Sequence, residues 1–243
     1  VLGRSTALRA ASAAVGRAGA RTAHATADVR EAASPELELT VVGTGPGAAE
    51  WLTPAAWRVI RQAEVVAGGR RQLDRFAPPG AEQVVVAADM DAVAAALRAH
   101  VGRRVVVLAS GDPGFFGIPV ALRRLLPNAR ITTLPGVSSA QLAAARLGRP
   151  WHELRFASAH GLELEGVIAA VREHAHVLAL TDARRTPQAL AAALASAGVR
   201  ARLTVLERLG EPDERITTGA AARIAAQVFD GLSVVVVDRE EAT

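Results

Sequence analysis

The sequence predicts an α/β protein: two consecutive α/β domains with a ligand cleft between them. Three observations carry this expectation. Short runs such as Val105-Val106-Val107-Leu108-Ala109 and Val234-Val235-Val236-Val237 are apolar without alternation, as in strands covered on both faces. These runs alternate with helix-length patterns opened by capping residues, the order that builds βα units. The alternation pauses once, at Gly148-Arg149-Pro150-Trp151, and then resumes. The domains are therefore set at 37–148 and 149–243, after an extension over 1–36. At 243 residues, half of them hydrophobic, the chain suits one large or two small domains.

Residues 1–36 stand apart. They are rich in Ala, Arg, Ser and Thr, and no acidic residue precedes Asp28. The composition is similar to a transit peptide and lacks the apolar stretch of a secretory signal. An over-called start or a disordered tail reads the same way. The expectation is a disordered or weakly helical extension without chemistry. The first domain opens with a strand at Glu38–Val42 that runs into Gly43-Thr44-Gly45-Pro46-Gly47. Gly43, Gly45 and Ala48 satisfy a dinucleotide-binding spacing. Helix placement speaks against that reading. Such a loop needs its helix to begin inside the glycine motif; here Pro46 lacks an N–H, and the cap and first helical position, Thr53 and Pro54, come later. A helix is predicted over Pro54–Gln62, and the loop Gly43–Leu52 is long enough to reach over a pocket.

The pattern continues with a strand at Ala63–Ala67, closed by Gly68-Gly69, after which Arg70 and Arg71 open a short helix. A third strand is predicted at Val84–Val86, and Asp89 caps a helix over Met90–His100. The strand at Val105–Ala109, a helix ending at Leu126 and a strand at Ile131–Leu134 follow. That last strand ends in Pro135-Gly136-Val137-Ser138-Ser139, where Ser138 or Ser139 caps a helix over Ala140–Leu147 and Gly148 ends it. In the second domain, strands are predicted at Leu154–Ser158, His176–Leu180, Arg202–Leu206 and Val234–Val237. Helices are predicted at Gly166–Glu173, Pro187–Ala197 (capped by Thr186) and Ala220–Gln227, with Arg215–Thr218 as an extra strand.

The stretch richest in chemistry is Ser110-Gly111-Asp112-Pro113-Gly114-Phe115-Phe116-Gly117. It follows a buried strand and feeds a helix, so it lies at the carboxyl edge of a sheet, where open α/β folds bind ligands. Gly111 and Gly114 let a ligand approach the backbone, and Asp112 adds a carboxylate. A tight connection with Asp112 capping the next helix reads equally well. The serines at 138 and 139 have the same double reading: a helix cap, or hydroxyls at a helix N-terminus facing a ligand.

Composition narrows the chemistry. All 28 basic residues are Arg and the net charge is only +4, with no basic tract interleaved with aromatics, so no nucleic-acid partner is predicted. Arginines scattered through an α/β domain fit an anionic small molecule, with which they pair bidentately. The absence of Cys removes disulfides and thiolate chemistry. No apolar run approaches the roughly 20 residues of a membrane span, so no membrane partner is predicted. His160, just past the strand ending at Ser158, is the one histidine at a strand's carboxyl end. No pair of histidines has metal-ligand spacing, so no metal site is predicted.

Taken together, the motifs resemble the tetrapyrrole methylase family. Gly43-Thr44-Gly45-Pro46-Gly47 with Leu52-Thr53-Pro54-Ala55-Ala56 is similar to its first motif. Ser110-Gly111-Asp112-Pro113 with Phe116-Gly117 is similar to its second, and Pro135 to Ser139 to its third. Val66 to Arg71, Ser138 to Gly148, Trp151, Ser158 to Gly161 and Leu180-Thr181-Asp182 resemble the branch that methylates C5 of a precorrin in cobalamin biosynthesis. The likeness runs from about Leu39 to Asp238. It implies a cytoplasmic homodimer that uses S-adenosyl-L-methionine, held in the cleft between the domains by Pro46, Ser110, Gly111, Asp112, Phe115, Ser138 and Ser139. Leu180, Thr181, Leu209 and Gly210 are looser cofactor assignments. It also implies Asp112 and His160 as catalytic candidates: Asp112 to orient the cofactor or steady its charge, His160 to move a proton or bind substrate. Gly45, Arg70, Arg71 and His160 become the tetrapyrrole-binding candidates, the two arginines for its acetate and propionate groups. Some relatives carry a second, Rossmann-type domain that methylates C15 and decarboxylates; no such pattern follows Asp238, so that activity is expected on a separate partner polypeptide.

Other readings stay open. One is another methylase of the family, such as the uroporphyrinogen-III or precorrin-4 enzymes. The former usually shows Gly-Gly-Asp-Pro and a later Gly-Arg-Gly-Gly, where this chain has Ser110 and Ile118-Pro119-Val120-Ala121. A nicotinamide-dependent dehydrogenase and a non-catalytic tetrapyrrole or nucleotide carrier are the others.

Overall fold

The computed structural model describes residues 36–115, 117–159 and 163–240. Two five-stranded sheets are built in chain order. The first comprises β1 (Glu38–Gly43), β2 (Val65–Gly68), β3 (Glu82–Val85), β4 (Val105–Ala109) and β5 (Arg130–Leu134), in the order β3-β2-β4-β1-β5. All its pairings are parallel. The helices α1 (Pro54–Arg61), α2 (Arg70–Phe76), α3 (Met90–Arg98) and α4 (Pro119–Leu125) are its crossovers, and α5 (Ser139–Arg146) leads away from β5.

The period of two along each strand divides the apolar residues between the sheet's faces. Leu39, Val41, Val65, Val105 and Val107 pack with Val93 and Leu97 of α3 and Leu122 of α4. Val42, Val66, Val106 and Leu108 pack on the opposite face with Ala56 and Ile60 of α1 and Leu73 and Phe76 of α2. This is why β4 reads as an unbroken apolar run: both of its faces are covered. β3 begins at Glu82, two residues before the predicted start, because an edge strand tolerates polar residues that carry no apolar signal.

The second sheet comprises β6 (Arg155–Ser158), β7 (His176–Leu180), β8 (Ala201–Glu207), β9 (Arg215–Ala220) and β10 (Ser233–Arg239), in the order β6-β7-β10-β8-β9. Its helices are α6 (Glu165–Glu173), α7 (Pro187–Ser196) and α8 (Ala221–Ala225). Here the architecture departs from simple βα alternation. β6 and β7 are parallel, but β10 runs antiparallel to both β7 and β8, and β8 and β9 form an antiparallel pair. One face buries Val177, Ala179, Leu203, Val205, Val235 and Val237 beneath α6, α7 and α8. The other face packs Leu178, Leu206, Val234 and Val236 against Ala140, Leu142, Ala143 and Ala144 of α5. Helix α5 therefore follows the first sheet in sequence but supplies core to the second.

Candidate functional site

β4, β1 and β5 are adjacent and parallel, so the turns that leave them emerge side by side at one sheet edge. The turn after β1 is stitched to the turn after β4. Thr44 donates through its N–H and its hydroxyl to the Ala109 carbonyl at 2.8 and 3.0 Å, and Gly45 and Gly111 exchange backbone hydrogen bonds of 3.3 and 2.9 Å. The turn after β4 is stitched to the turn after β5 by Asp112. Its Oδ1 accepts the Gly114 N–H at 2.7 Å and its Oδ2 the Gly136 N–H at 3.0 Å. Asp112 does not cap α4; it binds two loops together. Gly111 takes a left-handed φ of 65° at this crossing, a conformation that costs other residues roughly 1–2 kcal/mol.

The opposite wall comes from the second sheet. Because β10 is antiparallel, its first residues reach the edge where β7 and β8 end: Val234 pairs with Leu180 and Ser233 with Glu207. Buried Thr181 donates its hydroxyl to the Ser233 carbonyl at 2.8 Å, locking that edge. Between the walls lies a cleft of ≈ 470 Å³, within the range of about 300–1,000 Å³ usual for small-molecule sites. Of the predicted cofactor positions, Pro46, Ser110, Gly111, Asp112, Phe115, Ser138, Ser139, Leu180, Thr181 and Leu209 line it.

Gly210 stands behind the wall. Its carbonyl accepts the Ala48 N–H at 3.1 Å and the Trp51 indole N–H at 3.2 Å. The long first loop thus reaches across to the segment after β8, and the α-helix that follows it begins only at Pro54, as the argument against a dinucleotide loop requires. Arg75 of α2 reinforces the junction, donating to the Gly47 carbonyl at 2.9 Å and to buried Glu211 at 2.6 Å. On the second side, Phe115 meets Phe156 edge to face, with centroids 5.0 Å apart.

The predicted substrate-binding residues separate. Arg71 lines the cleft; Arg70 and Gly45 do not. Gly45 is committed to the bridge with Gly111, and Arg70 is exposed at the start of α2. His160 lies outside the described residues. Ser138 is buried and completes a reciprocal cap: its hydroxyl accepts the Gln141 N–H at 3.0 Å, while the Gln141 side chain accepts the Ser138 N–H at 2.9 Å. The cleft also takes residues that the sequence reading did not single out, among them Gln72, Ala183, Arg208 and Gly231 to Ser233. Strand direction brings Gly231 to Ser233 there, and no local pattern encodes that. Among the described residues no group of His, Asp or Glu is placed to hold a metal ion, and no helix is long and apolar enough to cross a membrane.

A sequence profile described as Tetrapyrrole (Corrin/Porphyrin) Methylases matches residues 38–225. The chain belongs to this family. The tetrapyrrole methylase match takes in all three turns of the first wall and the ends of β7 and β8, and stops short of β10. A cobalt-precorrin-7 C(5)-methyltransferase of Salmonella typhimurium is 34% identical over 201 residues, which is 82% of this chain and 98% of that protein. A precorrin-6Y C(5,15)-methyltransferase [decarboxylating] of Sinorhizobium is 40% identical over 202 residues, 82% of this chain and 49% of that protein. The chain thus spans about half the length of that tetrapyrrole methylase relative. The crystal structure of a cobalamin biosynthesis precorrin-6Y methylase from Archaeoglobus fulgidus superposes with a TM-score of 0.66 at 27% identity, covering 84% of this chain and 99% of that one.

Proposed function

We propose that this chain transfers a methyl group from S-adenosylmethionine to C5 of a precorrin-type tetrapyrrole, a step of cobalamin biosynthesis. The observation that carries the proposal is the cleft in which the three turns of the first sheet face the ends of β7 and β8 and the start of β10. Its residues suit the cofactor. Gly111 leaves its backbone approachable, Ser110 and Ser139 offer hydroxyls, and Phe115, Leu180, Leu206 and Val234 supply apolar surface for a flat ring system. Bound there, S-adenosylmethionine supplies an electrophilic methyl group on a sulfonium.

The chain's own residues then have three tasks. The stitched turns hold the cofactor's binding surface rigid, so that the methyl group and the acceptor carbon meet in line. The apolar wall excludes water that would compete for the methyl group. Asp112 keeps the turns after β4 and β5 in register through its two backbone hydrogen bonds. The electron-rich ring carbon is itself the nucleophile, which agrees with a chain that has no Cys. His160 is assigned the proton lost from the ring or a contact to substrate, and a homodimer is part of the same reading.

Isothermal titration with S-adenosylhomocysteine, with NADH run beside it, tests the cofactor. Saturable binding of the former alone is expected, and binding of NADH alone would overturn the proposal. Incubation with precorrin-6Y or cobalt-precorrin-7, the compounds in the relatives' names, and 13C-methyl-labelled cofactor then tests the substrate. One new labelled methyl at C5 is expected. Label entering uroporphyrinogen III in a parallel incubation, and not the precorrin, would reassign the chain to another branch of the family.

A further inference from the structure

Arg208 was not singled out in the sequence, and two independent features mark it. It lines the cleft. It is also the one non-glycine residue among those described with a left-handed backbone, φ 50°. Such strain persists only where the surroundings impose it, and it concentrates at functional sites. The surroundings here are explicit. The Arg208 N–H donates to the Leu232 carbonyl at 2.9 Å, its carbonyl accepts the Glu211 N–H at 3.0 Å, and its guanidinium is held by Asp213 at 2.7 Å and Asp230 at 3.5 Å. The strained backbone and the two acids together fix the direction of a long, otherwise mobile side chain.

Arg71 lines the same cleft from α2 of the first sheet. Its neutralisation is incomplete. The nearest acid, buried Glu211, stands 3.7 Å away, and the same Glu211 oxygen is already engaged by Arg75 at 2.6 Å. Burial disfavours the Arg71 charge. Glu211 and, more weakly, Asp230 partly restore it, the neighbouring Arg75 and Arg208 cations disfavour it further, and on balance its pKa is lowered from the ordinary arginine value. A half-buried guanidinium with like charges close by gains most from an added anion.

We propose that Arg71 and Arg208, one from each sheet, form a receptor for a carboxylate in the cleft. The inference rests on the methyltransferase reading, within which the carboxylate has two possible sources: the amino-acid end of the cofactor, or an acid side chain of the tetrapyrrole. Planar guanidiniums suit a carboxylate from either source. With one arginine on each wall, the bound anion also bridges the two sheets.

The test uses Arg71→Met and two variants at position 208. Arg208→Gly is chosen because glycine accepts the left-handed backbone without strain; it removes the guanidinium while relieving the chain. Arg208→Met keeps the stem. Each is titrated with S-adenosylhomocysteine and with methylthioadenosine, which lacks the carboxylate, and each is assayed for precorrin turnover. Loss of a charge-assisted contact weakens binding about 10- to 100-fold. A cofactor source predicts that S-adenosylhomocysteine binding falls by that factor while methylthioadenosine binding holds. A tetrapyrrole source predicts unchanged binding of both and a KM for the precorrin raised by that factor. Variants that keep wild-type melting temperatures, wild-type affinity for both ligands and wild-type KM overturn the receptor. Wild-type protein that fails to bind S-adenosylhomocysteine overturns instead the reading on which the receptor rests.

Discussion

At Gly43 there is no room for a methyl group. A Cβ there would stand 2.6 Å from the Gly136 nitrogen, 2.7 Å from the Gly111 carbonyl oxygen and 2.8 Å from the Pro113 ring. Two of these neighbours are backbone and cannot swing aside, so Gly43→Ala forces the three turns apart. The expected cost is about 1–3 kcal/mol, measurable by urea denaturation, together with weaker binding of S-adenosylhomocysteine. Asp112 is the second hinge of the site. Asp112→Ala leaves the Gly114 and Gly136 N–H groups without their acceptor, each loss worth roughly 1–3 kcal/mol where water cannot substitute. Turnover is expected to be abolished; full activity of that variant would remove Asp112 from the mechanism. The sequence marked Asp112 as a ligand neighbour or a helix cap, and Gly43 only as part of a rejected dinucleotide spacing and of a glycine-rich motif. Their grip on one another depends on β4, β1 and β5 lying side by side, and no spacing along the chain reports that.

At the scale of single elements, local chemistry carried far. Thr53, Asp89, Ser138 and Thr186 each accept the N–H three residues on, as their positions before helical patterns predict. A cap concerns four consecutive residues, so the sequence contains the whole interaction. Ser138→Ala removes the hydroxyl half of a complete capping box. It is expected to lower stability by about 0.5–2 kcal/mol, read from the denaturation midpoint, while Ser138→Thr retains most of it. Edges were harder to read. The start of β3 is polar on an exposed edge, and α8 ends at Ala225, earlier than its apolar pattern predicts. The packing of α5 was also hidden, because its alanines and Leu142 fit any apolar surface and only the fold chooses the second sheet.

For the whole molecule, charge ties distant segments together. Arg149 donates to both Asp238 oxygens at 2.5 and 2.9 Å, and His176 contacts the same carboxylate at 2.8 Å. Burial alone would raise the Asp238 pKa. The hydrogen bonds from Arg149 and His176 outweigh it, and the net shift is downward from the ordinary value. A carboxyl depressed in the folded state contributes stability above its unfolded pKa, near 3.9, and loses it as pH falls through the folded value. Asp238→Asn should therefore narrow its stability difference from the parent as pH drops from about 5 to below 3, as followed by melting temperature. Cofactor binding should act on the same global equilibrium. S-adenosylhomocysteine at about 100 times its Kd is expected to add about 2.7 kcal/mol, seen as a concentration-dependent rise in melting temperature that NADH does not reproduce.

The sequence by itself determined the kind of elements, their order, most of their caps, the three glycine-bearing turns and, through those turns, the family. Each of these is written in residues a few positions apart. The tertiary structure decided the strand order β3-β2-β4-β1-β5, the reversal of β10, and the placing of Arg71 and Arg208 in the lining of one cleft. It also left Gly45, Arg70 and Gly210 outside the cleft lining and brought Gly231 to Ser233 into it. The reason is separation along the chain. Strand neighbours are selected by how two complete apolar faces can be covered at once, and that choice depends on the whole core rather than on any one segment.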